Sequence, residues 1–98
     1  MELRGKQKRF LRAMGVNMDP VLTIGKDGVS ENTIVQADGV LNARELIKGR
    51  VLTTAPEEPA AVAAEIAERT DAHLVQVVGR NFLLYRRNQE EPKIDLPD

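Results

Sequence analysis

Three strand-like runs separated by two helix-like segments restrict this chain's fold more than any other feature of its sequence. Val21-Leu22-Thr23-Ile24 has the length and β-branched content of a short buried strand, Glu45 to Leu52 reads as a second, and His73-Leu74-Val75-Gln76-Val77-Val78 as a third. After the first run, Ser30 can cap a helix, and Val29, Thr33, Ile34, Ala37, Val40 and Leu41 recur at helical spacing. After the second, Pro59 suits a first helical turn, where its missing N–H is harmless. Val62, Ala63, Ile66 and Ala67 then form a thin, Ala-rich stripe that lets a helix lie close to a sheet. Strand-helix-strand units require parallel pairing through right-handed crossovers, and two crossovers in one direction put both helices on one face. A last run, Phe82-Leu83-Leu84-Tyr85, follows Gly79-Arg80-Asn81, which predicts a tight hairpin and antiparallel neighbours. Gly39 falls inside the helix that Ser30 caps, at a cost of about 1 kcal/mol relative to Ala; it predicts close packing there or fraying of the last turn.

A further helix is expected from Glu2 to Met14, with Leu3, Phe10, Leu11 and Met14 on one stripe directed at the core and Gly15 ending it. Arg4, Lys8 and Arg12 recur at i, i+4 on another face, flanked by Lys6 and Arg9. Like charges at that spacing weaken a helix by about 0.2–0.5 kcal/mol per pair, so the cluster points to an anionic partner; the alternative is a solvated face. The predicted architecture is α/β, a two-layer sandwich in the order α-β-α-β-α-β-β with a four-stranded mixed sheet. Which face the first helix covers is left open. Strict alternation along the second strand puts Leu46, Lys48 and Arg50 on one face and Ile47, Gly49 and Val51 on the other.

The stretch Ile24-Gly25-Lys26-Asp27-Gly28-Val29-Ser30 joins the first strand to the next helix. Two glycines three apart suit a tight turn and let another backbone approach. The helix that follows offers unpaired N–H groups and a partial positive charge, and Lys26 adds a cation. Such a loop can hold a nucleic-acid backbone as the GXXG loop of KH modules does. An ordinary strand-to-helix turn is the alternative, and Asp27 sets a carboxylate where a phosphate would sit.

With 98 residues the chain is long enough for one core, so a single domain over 1–98 is expected, with 88–98 an irregular tail that Ile94 and Leu96 pin to the body. One Tyr, two Phe and no Trp leave little for stacking bases, and the absence of Cys excludes disulfides, a thiol nucleophile and cysteine-based metal sites. No run approaches the ~20 apolar residues of a membrane span, so a cytoplasmic protein with no membrane partner is expected. Net charge is -1, yet residues 1–50 carry an excess of three cations and residues 51–98 an excess of four anions, which suggests a basic working side and an acidic solubilising side. Catalysis is not expected. His73 is the only histidine and sits in a strand, Glu57-Glu58 and Glu90-Glu91 diverge as sequence neighbours, and no phosphate-binding P-loop motif occurs. No catalytic residue, metal ligand or cofactor is assigned.

Lys6-Gln7-Lys8, Gly25-Lys26-Asp27-Gly28, Glu45-Leu46-Ile47-Lys48, Val75-Gln76-Val77-Val78-Gly79 and Leu84-Tyr85-Arg86, in that order, resemble the CRM (chloroplast RNA splicing and ribosome maturation) domain in its stand-alone bacterial form, the YhbY family. Lys93-Ile94-Asp95-Leu96-Pro97 is similar too. The resemblance covers nearly the whole chain. It implies a fold like the C-terminal domain of translation initiation factor three, with strand order 1-2-4-3. It also implies RNA binding through a basic surface with the Gly-x-x-Gly loop, and association with precursors of the large ribosomal subunit. On this chain Gly25, Lys26 and Gly28 become the backbone clamp. From the charge pattern, Lys6, Lys8, Arg9, Arg12, Lys48, Arg80 and Arg86 are the candidate phosphate contacts. The expected partners are ribosomal RNA and neighbouring ribosomal proteins, with the protein itself a monomer. Asp27 and the acidic pI near 5.8 point to modest affinity or to reliance on RNA shape. The competing functions are a protein-interaction adaptor without direct RNA binding, using the sheet surface or Ile94 and Leu96, and a duplex-DNA binder.

Overall fold

Seven elements form where the periodicity requires them: α1 (Gly5–Gly15), β1 (Leu22–Ile24), α2 (Glu31–Arg44), β2 (Leu46–Val51), α3 (Pro59–Thr70), β3 (His73–Val78) and β4 (Asn81–Tyr85). They are seen in a computed structural model that describes residues 2 to 98. The sheet order is β1-β2-β4-β3, with β1 parallel to β2 and β4 antiparallel to both of its neighbours. The mixed sheet is thus the one expected from the crossovers and the hairpin, and its order is the one the family resemblance implies.

Both crossover helices pack on one face, where Leu22, Ile24, Ile47, Val51, Phe82 and Leu84 meet Ala37 and Leu41 of α2 and Val62, Ala63, Ile66 and Ala67 of α3. Ser30 caps α2 through a reciprocal pair, its Oγ accepting from Thr33 N (3.2 Å) and Thr33 Oγ1 accepting from Ser30 N (3.0 Å). Gly39 is exposed and a Cβ there would meet nothing within 4 Å, while the helix continues to Arg44. The expected close packing or fraying at Gly39 is therefore overturned: α2 docks through Ala37 and Leu41, and Gly39 faces solvent between them.

The opposite face carries α1, which packs on β2 and β3 and settles the question the sequence left open. Leu3 and Leu11 join Leu46, Val75, Leu83 and Tyr85 in a second, smaller cluster. Burial of Leu11 alone contributes about 2 kcal/mol. At Gly15 the helix lies so close to the sheet that a Cβ would stand 2.4 Å from Leu83 Cδ1. The expected stripe is corrected in part, because Phe10 and Met14 are about 40% exposed. They lie one residue behind Leu11 and Gly15, about 100° round the helix, and so point away from the contact.

After Tyr85 the chain forms no helix or strand, but it is tied down. Ile94 and Leu96 pack against the α1-side cluster, as expected. The polar anchor is Glu45, which sequence alternation places at the start of β2 and which instead caps α2 with φ +65°. Its fully buried carboxylate accepts from the backbone N–H groups of Asn88 (2.6 Å), Lys93 (2.7 Å) and Ile94 (2.7 Å). Burial opposes ionisation of Glu45, but those three donors and the nearby Lys93 charge outweigh it and hold the carboxyl below its ordinary range. Gln7 completes the strap: its Oε1 accepts from Arg4 N at the start of α1 and its Nε2 donates to Pro97 O (3.0 Å).

Candidate nucleic-acid interface

The Gly-x-x-Gly loop leaves β1 beside the end of β2 and closes as a turn, Gly28 N donating to Gly25 O at 3.0 Å. Its two glycines differ in why they are glycine. Gly28 has φ +67°, and a Cβ there would press on Pro56 of the β2–α3 loop at 3.2 Å, so the fold itself demands it. Gly25 has no positive φ, and its nearest neighbour to a Cβ would be Leu52 Cδ1 at an ordinary 3.7 Å. Nothing in the protein explains the bare backbone at Gly25. Lys26 and Asp27 are exposed at the tip, and neither makes a salt bridge or side-chain hydrogen bond among the described residues.

From this loop an open strip runs across the α1 side of the sheet, because α1 and the tail cover only the end holding Leu46, Val75 and Tyr85. Thr23 on β1 pairs with Arg50 on β2, and Arg50 with Asn81 on β4. Lys48 follows on the same face, as alternation predicts. Arg12, Lys48, Gln76 and Asn81 then line one cavity of about 300 Å³ with Val16 and Val78. A β-bulge brings Gln76 there. Leu74 pairs with Leu84 but Gln76 pairs with Leu83, so Val75 is the extra residue and the alternation of β3 reverses beyond it. Val77 consequently enters the α2/α3 core, and Gln76 and Val78 turn to the α1 side.

The ten residues singled out from the sequence divide into distinct groups. Gly25, Lys26 and Gly28 form the loop; Arg12 and Lys48 meet at the cavity. Lys6, Lys8 and Arg9 are exposed on α1, and none pairs with a carboxylate among the described residues. Arg80 is turned inward, its Nε donating to Val51 O (2.6 Å) and its Nη2 to Leu52 O (2.9 Å), where it ends β2 beside the loop. Arg86 lies at the other end of β4. It donates to Asp38 Oδ1 (2.6 Å), Thr70 O (2.8 Å), Asp38 O (3.1 Å) and Asn42 Oδ1 (2.9 Å), binding α2 and α3 to the sheet. The structure thus brings Arg12 and Lys48 together, leaves Lys26 exposed at the loop tip, and holds Arg80 and Arg86 in clamps within the fold. Sequence reasoning did not list Arg50, although its alternation with Lys48 was the available signal. It also missed Gln76 and Asn81; for Gln76 no local signal exists, since strict alternation turns it the other way. His73 stacks on Tyr85 (centroids 6.2 Å apart), and burial pushes its imidazole below the ordinary value, as befits a structural histidine.

No helix is long and apolar enough to cross a membrane among the described residues. The chain is 41% identical to the "Probable RNA-binding protein YqeI" of Bacillus subtilis over 95 residues, covering 97% of this chain and 99% of that one. It is 36% identical to a Haemophilus influenzae protein named "RNA-binding protein", again over 95 residues and covering 97% and 95% of the two chains. Its structure superimposes on the solution structure of the hypothetical protein SAV1595 from Staphylococcus aureus with a TM-score of 0.81 and 44% identity, covering 98% of this chain and all of that one. Residues 3–86 match the CRS1 / YhbY (CRM) domain, and the chain belongs to that family.

Proposed function

We propose that this protein binds RNA through the strip from the Gly25–Gly28 loop to Arg12, and that it acts in the cytoplasm on ribosomal RNA of the precursor large subunit to assist assembly. One observation carries the binding surface: Arg12 and Lys48 line one cavity and Arg50 follows Lys48 on the same face of β2, none with a carboxylate partner among the described residues, and the neighbouring strand β1 leads into a loop whose backbone is left bare at Gly25 for no internal reason and whose Lys26 is exposed. The names of the relatives support RNA as the ligand. The ribosomal part rests on the family resemblance. Because three aromatic residues at most are at hand and Tyr85 and Phe82 are buried, the grip is on phosphates and shape rather than on stacked bases. The adaptor reading loses Ile94 and Leu96, which are packed against the body.

Titration of a labelled single-stranded RNA across a salt series tests the surface. Lys26→Glu is expected to weaken binding several-fold and to lower the slope of log affinity against log salt by about 1; unchanged affinity removes the loop from the site. Sedimentation of the tagged protein on a sucrose gradient, with and without ribonuclease, tests the assembly role. Nuclease-sensitive migration near the large subunit supports it, and a protein that stays at the top in low salt refutes it.

A further inference from the structure

Four polar side chains converge on the 300 Å³ cavity between the end of α1 and the sheet, and none has a hydrogen-bond or salt-bridge partner among the described residues. Gln76 is the sharpest case, an amide turned to this side by the bulge, with an oxygen that accepts and a nitrogen that donates and no partner for either among the described residues. Arg12 and Lys48 bring only donors. Val16 and Val78, 74% and 59% exposed, supply apolar walls at the mouth. A small, partly apolar cavity with a few converging polar groups is what a small planar ligand requires, and the volume lies at the lower end of the range for ligand sites, about 300–1,000 Å³. A wider depression of about 670 Å³ beside Asn42, His73 and Arg86 differs, since the Arg86 guanidinium is already engaged by Asp38, Asn42 and Thr70 and Arg87 at its rim is exposed.

We infer that this cavity receives one unstacked nucleobase of the bound RNA, an inference that rests on the RNA-binding reading above. The base enters between Val16 and Val78 while Arg50 and Lys26 hold neighbouring phosphates along the strip. Inside, the hydrogen-bond pattern selects. Uracil and guanine present a carbonyl oxygen to the donors of Arg12 and Lys48, with an adjacent ring N–H for the amide oxygen of Gln76. Cytosine and adenine present an amino group at that place, donor against donor. The family's phosphate grip thereby gains a point of base selection without an aromatic platform, and the Val75 bulge is the device that builds it.

Fluorescence anisotropy with labelled U10 and C10 oligoribonucleotides isolates that inverted edge, carbonyl and ring N–H against amino group and bare ring nitrogen, in otherwise similar pyrimidines. Wild-type protein is expected to bind U10 about three- to tenfold more tightly than C10. Gln76→Leu should abolish that preference while leaving the salt slope unchanged. Val78→Trp, at an exposed strand end where the fold tolerates a large side chain, should block the cavity and abolish it as well. Equal wild-type affinity for the two oligomers overturns the cavity and leaves RNA binding standing, as does a preference that survives both substitutions. Failure of the wild-type protein to bind either oligomer in a salt-dependent way overturns both readings.

Discussion

The two ends of the sheet face under α1 use the same kinds of residue to opposite effect. At the end where β2 begins, polar groups are deeply engaged: Glu45 takes three backbone donors, and at the neighbouring edge Arg86 takes four acceptors. At the end where β2 finishes, Arg12, Lys48, Arg50, Gln76 and Asn81 line an open surface with no side-chain partner among the described residues. Charge and residue type do not tell these regions apart, since each has arginines on or next to strands. Hydrogen-bond satisfaction does. A guanidinium with most of its donors occupied, as Arg86 has four of five, stabilises the fold and has little left for a phosphate, whereas an unpartnered one is held ready at little conformational cost.

Cutting the strap at its anchor should produce the largest effect. Glu45→Ala leaves three backbone N–H groups without their acceptor and is expected to destabilise by about 3 kcal/mol, a fall in Tm of roughly 15 °C for a domain of this size. Urea denaturation and hydrogen exchange across residues 88–98 read it. The pH dependence has a definite sign. The unfolded chain protonates this carboxyl near its ordinary 4.5 and the folded protein only at lower pH. The contribution of Glu45 is therefore whole above 4.5 and is lost as pH falls through the depressed value. His73 acts in the same direction in a higher window: burial favours its neutral ring, so stability begins to fall as pH drops below the ordinary 6.5. Glu45→Ala should flatten only the lower part of the acid limb; curves that remain parallel to wild type contradict the anchor.

Alanine substitutions of the cations at the two ends sharpen the same difference. Arg86→Ala should cost about 2 kcal/mol of stability and leave the RNA affinity of the folded protein unaltered. Lys48→Ala and Arg50→Ala should do the reverse, moving stability by less than about 0.5 kcal/mol while weakening RNA several-fold. An Arg86 variant that is stable but fails to bind RNA would break the distinction. The smallest expected change lies in neither region. Gly39→Ala, with open space at its Cβ and an ordinary helical backbone, should stabilise by about 0.5–1 kcal/mol and leave RNA binding as it was.

Much of the molecule was legible before folding was considered. Hydrophobic spacing and turn residues located every element within a few positions, and crossover handedness put α2 and α3 on one face, while the strand order was implied by the family resemblance. The Gly25–Gly28 loop and the pairing of Lys48 with Arg50 were equally legible, because both depend on neighbours in sequence. The roles of Arg80 and Arg86 were not, because their acceptors lie 16 to 48 residues away.

Local periodicity, in short, determined the strands, the helices and the loop that begins the basic strip, since each is specified by residues within one or two turns. Tertiary structure alone decided three things. It set α1 on the face opposite α2 and α3, where Gly15 meets Leu83. It chose Glu45 over the apolar tail residues as the polar anchor, with partners 43 to 49 positions away. And it inserted the bulge at Val75, which is visible only in the pairing of β3 with β4 and which turns Gln76 from the core to the cavity. The physical reason is common to all three: each is selected by surfaces that meet only once distant segments have packed.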